Sequence, residues 1–386
     1  MVKRKRIALN YQADYDFSAG IVIYIQNLIK GFAMLNDNIQ PELLIIHSEK
    51  SPIDEIKELK YKYINFYCHW PIGQTILKRI VNKISRIISG KNLIRRYQFP
   101  GESTLLYPFV DCDETWHFKN RIYWKPDFQE MYYPNFVSKE ELKYVHDYLN
   151  IVRTNPNYEL VFSSEDSKND YKKFFSPYTN KLSVLRFVSI LPDLPIINLE
   201  ELLKKYNLPK KYFFVSNQFW PHKNHQLILE SIISVRKQFP DVFIVFSGKQ
   251  SSYRAKDYFS NLEKFIAENK LEANTIFLGF IPRIDQLLLM KNAQAVIQPS
   301  LFEGWSTVIE DCKALGQFVI ASDLAVNKEQ SNRNIFFFER HNANELAKGI
   351  IDVIDDKIER SPYQYSVNIQ KFCLDLISIF RLKAQS

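Results

Sequence analysis

The chain alternates between two kinds of segment, and the alternation comes in two series. Short apolar runs recur: "RIALN" (6–10), "ELLIIH" (42–47), "STLLYPFV" (103–110), "NRIYW" (120–124) and "ELVFSS" (159–164). Between them the apolar residues follow a helical period, as at Ile21, Ile25, Leu28, Ile29, Phe32 and Leu35. A second set begins near 212 with "YFFVS" (212–216), "DVFIVFSG" (241–248), "NTIFLGF" (274–280), "AQAVIQPS" (293–300), "QFVIASD" (317–323) and "NIFFF" (334–338). Strand-like runs alternating with helix-like segments predict largely parallel sheets covered by helices. The two prolines of "SILPDLPIINLEE" (189–201) mark the join. The expected organisation is two doubly wound domains, 1–190 and 191–365, with a last helix over 366–386 that crosses back to the first domain.

The 386 residues are too many for one comfortable core, which agrees with two domains. The basic start "MVKRKRIALNYQAD" lacks the apolar stretch of a secretory signal, and no apolar run is long enough to span a bilayer. Four cysteines, Cys68, Cys112, Cys312 and Cys373, stand far apart and fit no metal spacing. A cytoplasmic protein with reduced thiols is expected. GxGxxG is absent from both series, which disfavours a dinucleotide oxidoreductase.

Chemistry concentrates in "PSLFEGWSTVIEDCKALGQFVIASD" (299–323). A buried strand ends there, and in open α/β sheets ligands bind beyond the carboxyl ends of the strands. Thr307 and Glu310 match a capping box, and Gly316 suits the helix end. The free amides at such a helix start favour a phosphate. Glu310 and Asp311 also complement the helix dipole, whereas Glu303, in the Gly304-Trp305 turn, precedes the helix and is less well explained that way.

This stretch resembles the signature of retaining glycosyltransferases of the group 1, or family 4, type, which have the GT-B fold. In that family two glutamates flank seven residues. Glu303 matches the first, and the second position is Asp311. The resemblance implies that the first carboxylate meets the donor sugar and the second the nucleotide ribose. In "VSNQFWPHKNHQLILESI" (215–232), Lys223 matches the family's phosphate-binding lysine, and its arginine position is Gln218. An exposed surface lysine is the alternative reading of Lys223, and His222 and His225 stand beside it. Gly20 resembles the family's glycine loop facing the diphosphate. In "WKPDFQEMYYPNFVS" (124–138), Asp127 matches the aspartate of a His-Asp element, the histidine position is Pro126, and Glu130 is a nearby carboxylate. A structural turn is the alternative there.

The resemblance thus implies a catalytic set of Glu303, Lys223 and Asp127. It implies a donor site from Gly20, Gln218, Lys223, Glu303, Gly304, Trp305, Ser306, Thr307 and Asp311. The donor is a nucleotide diphosphate-sugar, the acceptor a glycan or lipid-linked glycan, and the setting bacterial surface polysaccharide assembly. No cofactor and no obligatory metal are expected, and the Asp-x-Asp tripeptides at 14–16 and 111–113 are read as chance. Two other readings stay open: an epimerase or phosphorylase on the same fold, or an inactive partner subunit, since Gln218, Asp311 and Pro126 depart from the pattern.

The net charge of +8 is local. Residues 1–100 hold 16 Lys and Arg against 8 Asp and Glu, while the other 286 hold 35 of each. Its densest part, 75–98, carries Lys78, Arg79, Lys83, Arg86, Lys91, Arg95 and Arg96 without an acid, with Ile76, Ile80, Ile84, Ile87 and Ile88 at helical spacing. Such a helix suits the anionic inner face of a membrane. A core helix with a solvated basic face is the alternative. Nucleic acid is disfavoured, because no aromatic stacking platform accompanies the charge.

Overall fold

The structure is a computed structural model that describes residues 4–11, 15–68, 75–89, 93–94, 105–109, 118, 120–196, 198–250 and 255–384. The first domain carries strands β1 (Arg6–Tyr11), β2 (Glu42–His47), β3 (Ile64–Cys68), β4 (Leu105–Phe109), β5 (Arg121–Lys125), β6 (Glu159–Phe162) and β7 (Lys181–Val184). They form one sheet in the order β3-β2-β1-β4-β5-β6-β7. The second carries β8 (Phe213–Ser216), β9 (Ile244–Ser247), β10 (Thr275–Phe277), β11 (Val296–Gln298), β12 (Val319–Ser322) and β13 (Ile335–Phe338), ordered β10-β9-β8-β11-β12-β13. All recorded strand pairs are parallel, as the helix-covered alternation requires. The strand order reverses beside β1 in one sheet and beside β8 in the other, so each domain has a crevice at the carboxyl end of its first strand.

Two strands were not evident from the sequence, β3 and β7, and both are sheet edges. Neither strand contains a fully buried residue, so "INFYC" and "KLSV" lack the apolar run that marks a strand covered on both faces.

The domains share buried structure. Trp305, Leu324 and Val326 of the second domain join the core of the first, with Tyr365 and Phe372 from the chain's end. The last helix, Ser366–Ile379, packs on the helix Tyr15–Ala33, where Gly31 leaves room for Phe372: a Cβ there would lie 2.6 Å from the ring. The linker is not slack. The Ile190 amide donates to Asn27 Oδ1 at 2.8 Å, and Lys30 Nζ donates to the Ile190 carbonyl at 2.7 Å.

Candidate functional site

The site begins with the polypeptide that leaves β8 and β11. After β8 the chain makes a short 3-10 turn, Pro221–Lys223, and after β11 it makes the turn that carries Glu303. These neighbouring strands bring the two side chains together: Lys223 Nζ lies 2.6 Å from Glu303 Oε1, and both are largely buried. Gln298 Nε2 donates to the same oxygen at 2.6 Å. Gln298 itself is fully buried, and its Oε1 accepts from Asn217 Nδ2 at 2.8 Å. Glu303 therefore has one orientation, set from behind by an amide chain. Gln298 and Asn217 were missed in the sequence, although a polar residue ending the run "AVIQPS" was a readable signal.

The helix start departs from the expected register by one residue. Ser306, not Thr307, is the N-cap: its Oγ accepts from the Ile309 amide in the helix Thr307–Leu315. Both types cap well, and Ser306 has the extended backbone a cap needs. Gln330 occupies the Ser306 amide at 3.0 Å and returns a hydrogen bond to its carbonyl. Among the described residues, the Thr307 and Val308 amides, ahead of the capped Ile309 amide, make no backbone hydrogen bond, so they are the two first-turn amides assigned to an anion. Glu310 is not a capping carboxylate either. It is buried, 2.6 Å from Lys313 Nζ, and accepts from the Tyr365 hydroxyl at 2.5 Å and from Gln330 at 3.0 Å. A buried carboxylate needs such partners, and a helix dipole would not hold it there alone.

Asp311 is equally enclosed. It pairs with Arg283 at 2.6 Å and accepts from the Ser189 hydroxyl of the linker. Trp305 does not present its indole to a donor. Its Nε1 donates to the Phe187 carbonyl at 3.0 Å inside the first domain's core, so its side chain joins the domains instead. Gly20 is not in a loop: it lies within the helix Tyr15–Ala33, exposed, with open space where a Cβ would go. Gln218 is partly buried in the loop after β8. That loop is fixed by Gly248, where a Cβ would lie 2.0 Å from the Asn217 carbonyl and φ is +150°. His225 offers no positive charge. Burial pushes its imidazole down to about 3, with Lys223 adding repulsion, and its ring stacks on Phe219.

The first domain completes the site from across the cleft. Asp127, just past β5, touches Gly304: a Cβ on that glycine would lie 2.7 Å from Asp127 Cβ and from the Pro126 carbonyl. Only a residue without a side chain allows this approach. The structure thus gathers Glu303, Lys223 and Asp127 at one place. Burial pushes the Asp127 carboxyl above its ordinary range. Lys125 and the Gln129 amide oppose that rise, and the charges of Glu130 and Glu303 add to it. Glu130 is not free to act in place of the missing histidine, because it is buried against Lys125 at 2.8 Å. Further contacts hold the cleft: Phe302 meets Tyr132 and Tyr133, and Glu329 accepts from the amides of Glu165 and Asp166 while pairing with Arg186 at 2.7 Å. A carboxylate over the start of the helix Glu165–Phe175 suits that helix's dipole. Among the described residues, no group of three His, Cys, Asp or Glu side chains is placed to hold a metal ion.

Known proteins resemble this chain in sequence and in fold. Residues 199–369 match the family model described as glycosyl transferases group 1. A curated relative, the O-antigen chain mannosyltransferase RfbU of Salmonella typhimurium, is 23% identical over 206 residues, which cover 53% of this chain and 52% of the relative. The match spans about half the length of that protein. Among solved structures, HepE of Anabaena in complex with UDP and glucose aligns with a TM-score of 0.63 at 16% identity, over 98% of this chain and 95% of its own. Sucrose-phosphate synthase of Thermosynechococcus elongatus aligns with 0.65 at 15% over 98% of both, and a glycosyltransferase of Rickettsia africae with 0.63 at 15% over 98% and 94%. The fold is GT-B.

Proposed function

We propose that this chain, whose residues 199–369 form a domain of the group 1 glycosyltransferase family, moves a sugar from a nucleotide diphosphate-sugar to a glycan or lipid-linked acceptor, with retention at the anomeric carbon. The observation that carries the reading is the Lys223–Glu303 pair meeting Asp127 across Gly304, where the carboxyl ends of the two sheets face each other. Transfer builds negative charge on the departing diphosphate. Lys223 and the Thr307 and Val308 amides face that need, and fixed donors in a site shielded from water are worth most where charge develops. Without a diphosphate, Glu303 holds the Lys223 ammonium. A bound donor would share that cation, leaving Glu303 oriented by Gln298 to meet the sugar hydroxyls. Asp311 and its partner Arg283 are assigned to the nucleoside end. Asp127, with its raised carboxyl, faces the transferred sugar from the acceptor side, and the packed cleft keeps out water that would compete as acceptor. Lys223 and the amides supply the positive potential in this scheme, so no metal is required.

A setting in surface polysaccharide assembly is supported by the relative's description as an O-antigen chain mannosyltransferase, and we place this chain, as part of the same proposal, at the cytoplasmic face of a membrane. No helix among the described residues is long and apolar enough to cross a membrane, so attachment would be peripheral. The test is to incubate purified protein with individual nucleotide diphosphate-sugars, with and without lipid-linked glycan. Released nucleoside diphosphate should be measured, and the anomeric configuration of the product read by NMR. Acceptor-dependent release with retention is expected. Release of nothing from any donor would favour the inactive-subunit reading, and an inverted product would overturn the stereochemical assignment.

A further inference from the structure

The helix Ile76–Ser89 is mounted the wrong way round for a soluble protein. Its apolar residues occupy one arc, since Ile76, Ile80, Ile84 and Ile87, with Leu77, Val81 and Ile88, recur at helical spacing. All seven are exposed, up to 77% for Ile87 and 80% for Ile88. The opposite, polar arc is the one that docks. Asn82 is only 2% exposed, and its side-chain amide grips the backbone of Ile94, accepting from the amide at 2.7 Å and donating to the carbonyl at 2.8 Å. Lys78 and Ser85, one turn to either side of Asn82, are the other sheltered positions. An ordinary amphipathic helix buries the arc that this one displays. The core-helix alternative is thereby excluded for Ile76, Ile80, Ile84, Ile87 and Ile88. Lys91, Arg95 and Arg96 lie outside the described residues.

We propose that this helix is an interfacial anchor: its isoleucine arc enters the acyl boundary of an anionic leaflet while Arg79, Lys83 and Arg86, on the flank, meet lipid phosphates. This deepens the membrane-surface setting proposed above. Charge identifies the occupant. The helix carries four cations and no acid, so a second copy of the same face would bring like charges together, whereas an anionic bilayer satisfies both the apolar arc and the basic flank.

The full chain is mixed with phosphatidylcholine vesicles, with and without phosphatidylglycerol, and sedimented at low and high salt. The wild type should sediment with the anionic vesicles at low salt and lose most of that binding at high salt or on neutral lipid. Ile84→Glu with Ile87→Glu should weaken binding at least about tenfold, because each change puts a charge into the acyl boundary. Arg79→Gln with Lys83→Gln and Arg86→Gln should weaken it comparably. All the substituted side chains are exposed, so unchanged melting confirms that the variants fold. Wild-type protein that ignores anionic vesicles at low salt would overturn the proposal. So would an isoleucine variant that binds as tightly as wild type, or a dimer without lipid that the isoleucine variant abolishes. The vesicles contain neither sugar donor nor acceptor, so a protein that binds them but transfers no sugar would refute the proposed reaction and leave the anchor standing.

Discussion

The helices Thr307–Leu315 and Ile76–Ser89 invert each other. In the first, Glu310, Asp311 and Lys313 are all buried; in the second, the isoleucines are all exposed. Polarity alone would assign the reverse. What separates them is the supply of partners. Glu310 and Asp311 sit where Lys313, Tyr365, Gln330, Arg283 and Ser189 converge, so both charges are compensated. Ile76–Ser89 is gripped through Asn82 at Ile94, and that contact turns its apolar arc outward. Burial follows the contacts that a side chain completes.

The contrast breaks first at Glu310. Removing it leaves the Lys313 ammonium buried without its carboxylate, a loss of roughly 3–5 kcal/mol for a broken buried pair. Glu310→Ala should therefore be among the most destabilising single changes in urea denaturation. A loss of 1 kcal/mol or less would return Glu310 to the role of a simple cap (about 0.5–2 kcal/mol).

Next in size is Gly304→Ala, which drives a methyl group against Asp127 and the Pro126 carbonyl. Overpacking of this kind costs about 1–3 kcal/mol. Because it wedges the two halves of the site apart, turnover should fall more steeply than stability. Activity equal to wild type would show that Asp127 and the Glu303 turn need not touch.

A smaller effect of opposite sign is expected at Asp127. Its carboxyl is held above the ordinary value of 3.8, chiefly by burial. The folded state therefore prefers the protonated form, and ionising it as the pH rises through its folded value costs stability. Asp127→Asn should melt slightly higher at neutral pH, and that advantage should fade as the pH falls towards 3.8. Turnover should drop even so. A lower melting temperature at neutral pH would contradict the direction of the shift.

At the other end of the comparison, Ile87→Glu should leave stability within about 0.5 kcal/mol, the usual range for an exposed position. A larger loss in thermal melting would mean that the isoleucine arc is covered by the protein itself.

These sites also show which parts of the molecule were legible in the sequence. Central strands such as "ELLIIH" and "QFVIASD" were, because strands buried on both faces read as apolar runs, whereas β3 and β7, which hold no fully buried residue, carry no such mark. Glu303 and Lys223 were singled out through the resemblance of their stretches to the family's motifs, whereas their pairing was not foreseen and comes from β8 and β11 being neighbours. The cap was misplaced by one residue because Ser306 and Thr307 offer the same chemistry, and only backbone geometry separates them. Trp305 stood in the right turn but points into the first domain, which no local pattern encodes. The amphipathic period of 76–89 was plain, while the arc that docks was decided by Asn82 and a residue twelve positions on.

The most direct test of the site is Glu303→Gln, with turnover and thermal melting measured on the same sample. The substitution keeps the shape and the hydrogen bond from Gln298 but removes the charge that pairs with Lys223. Nucleoside diphosphate release should fall at least about a hundredfold. Stability should change by no more than the loss of one charged hydrogen bond, about 1.5–3 kcal/mol. Release at the wild-type rate from a folded Glu303→Gln protein would contradict the assignment of Glu303 and, with it, the site proposed here.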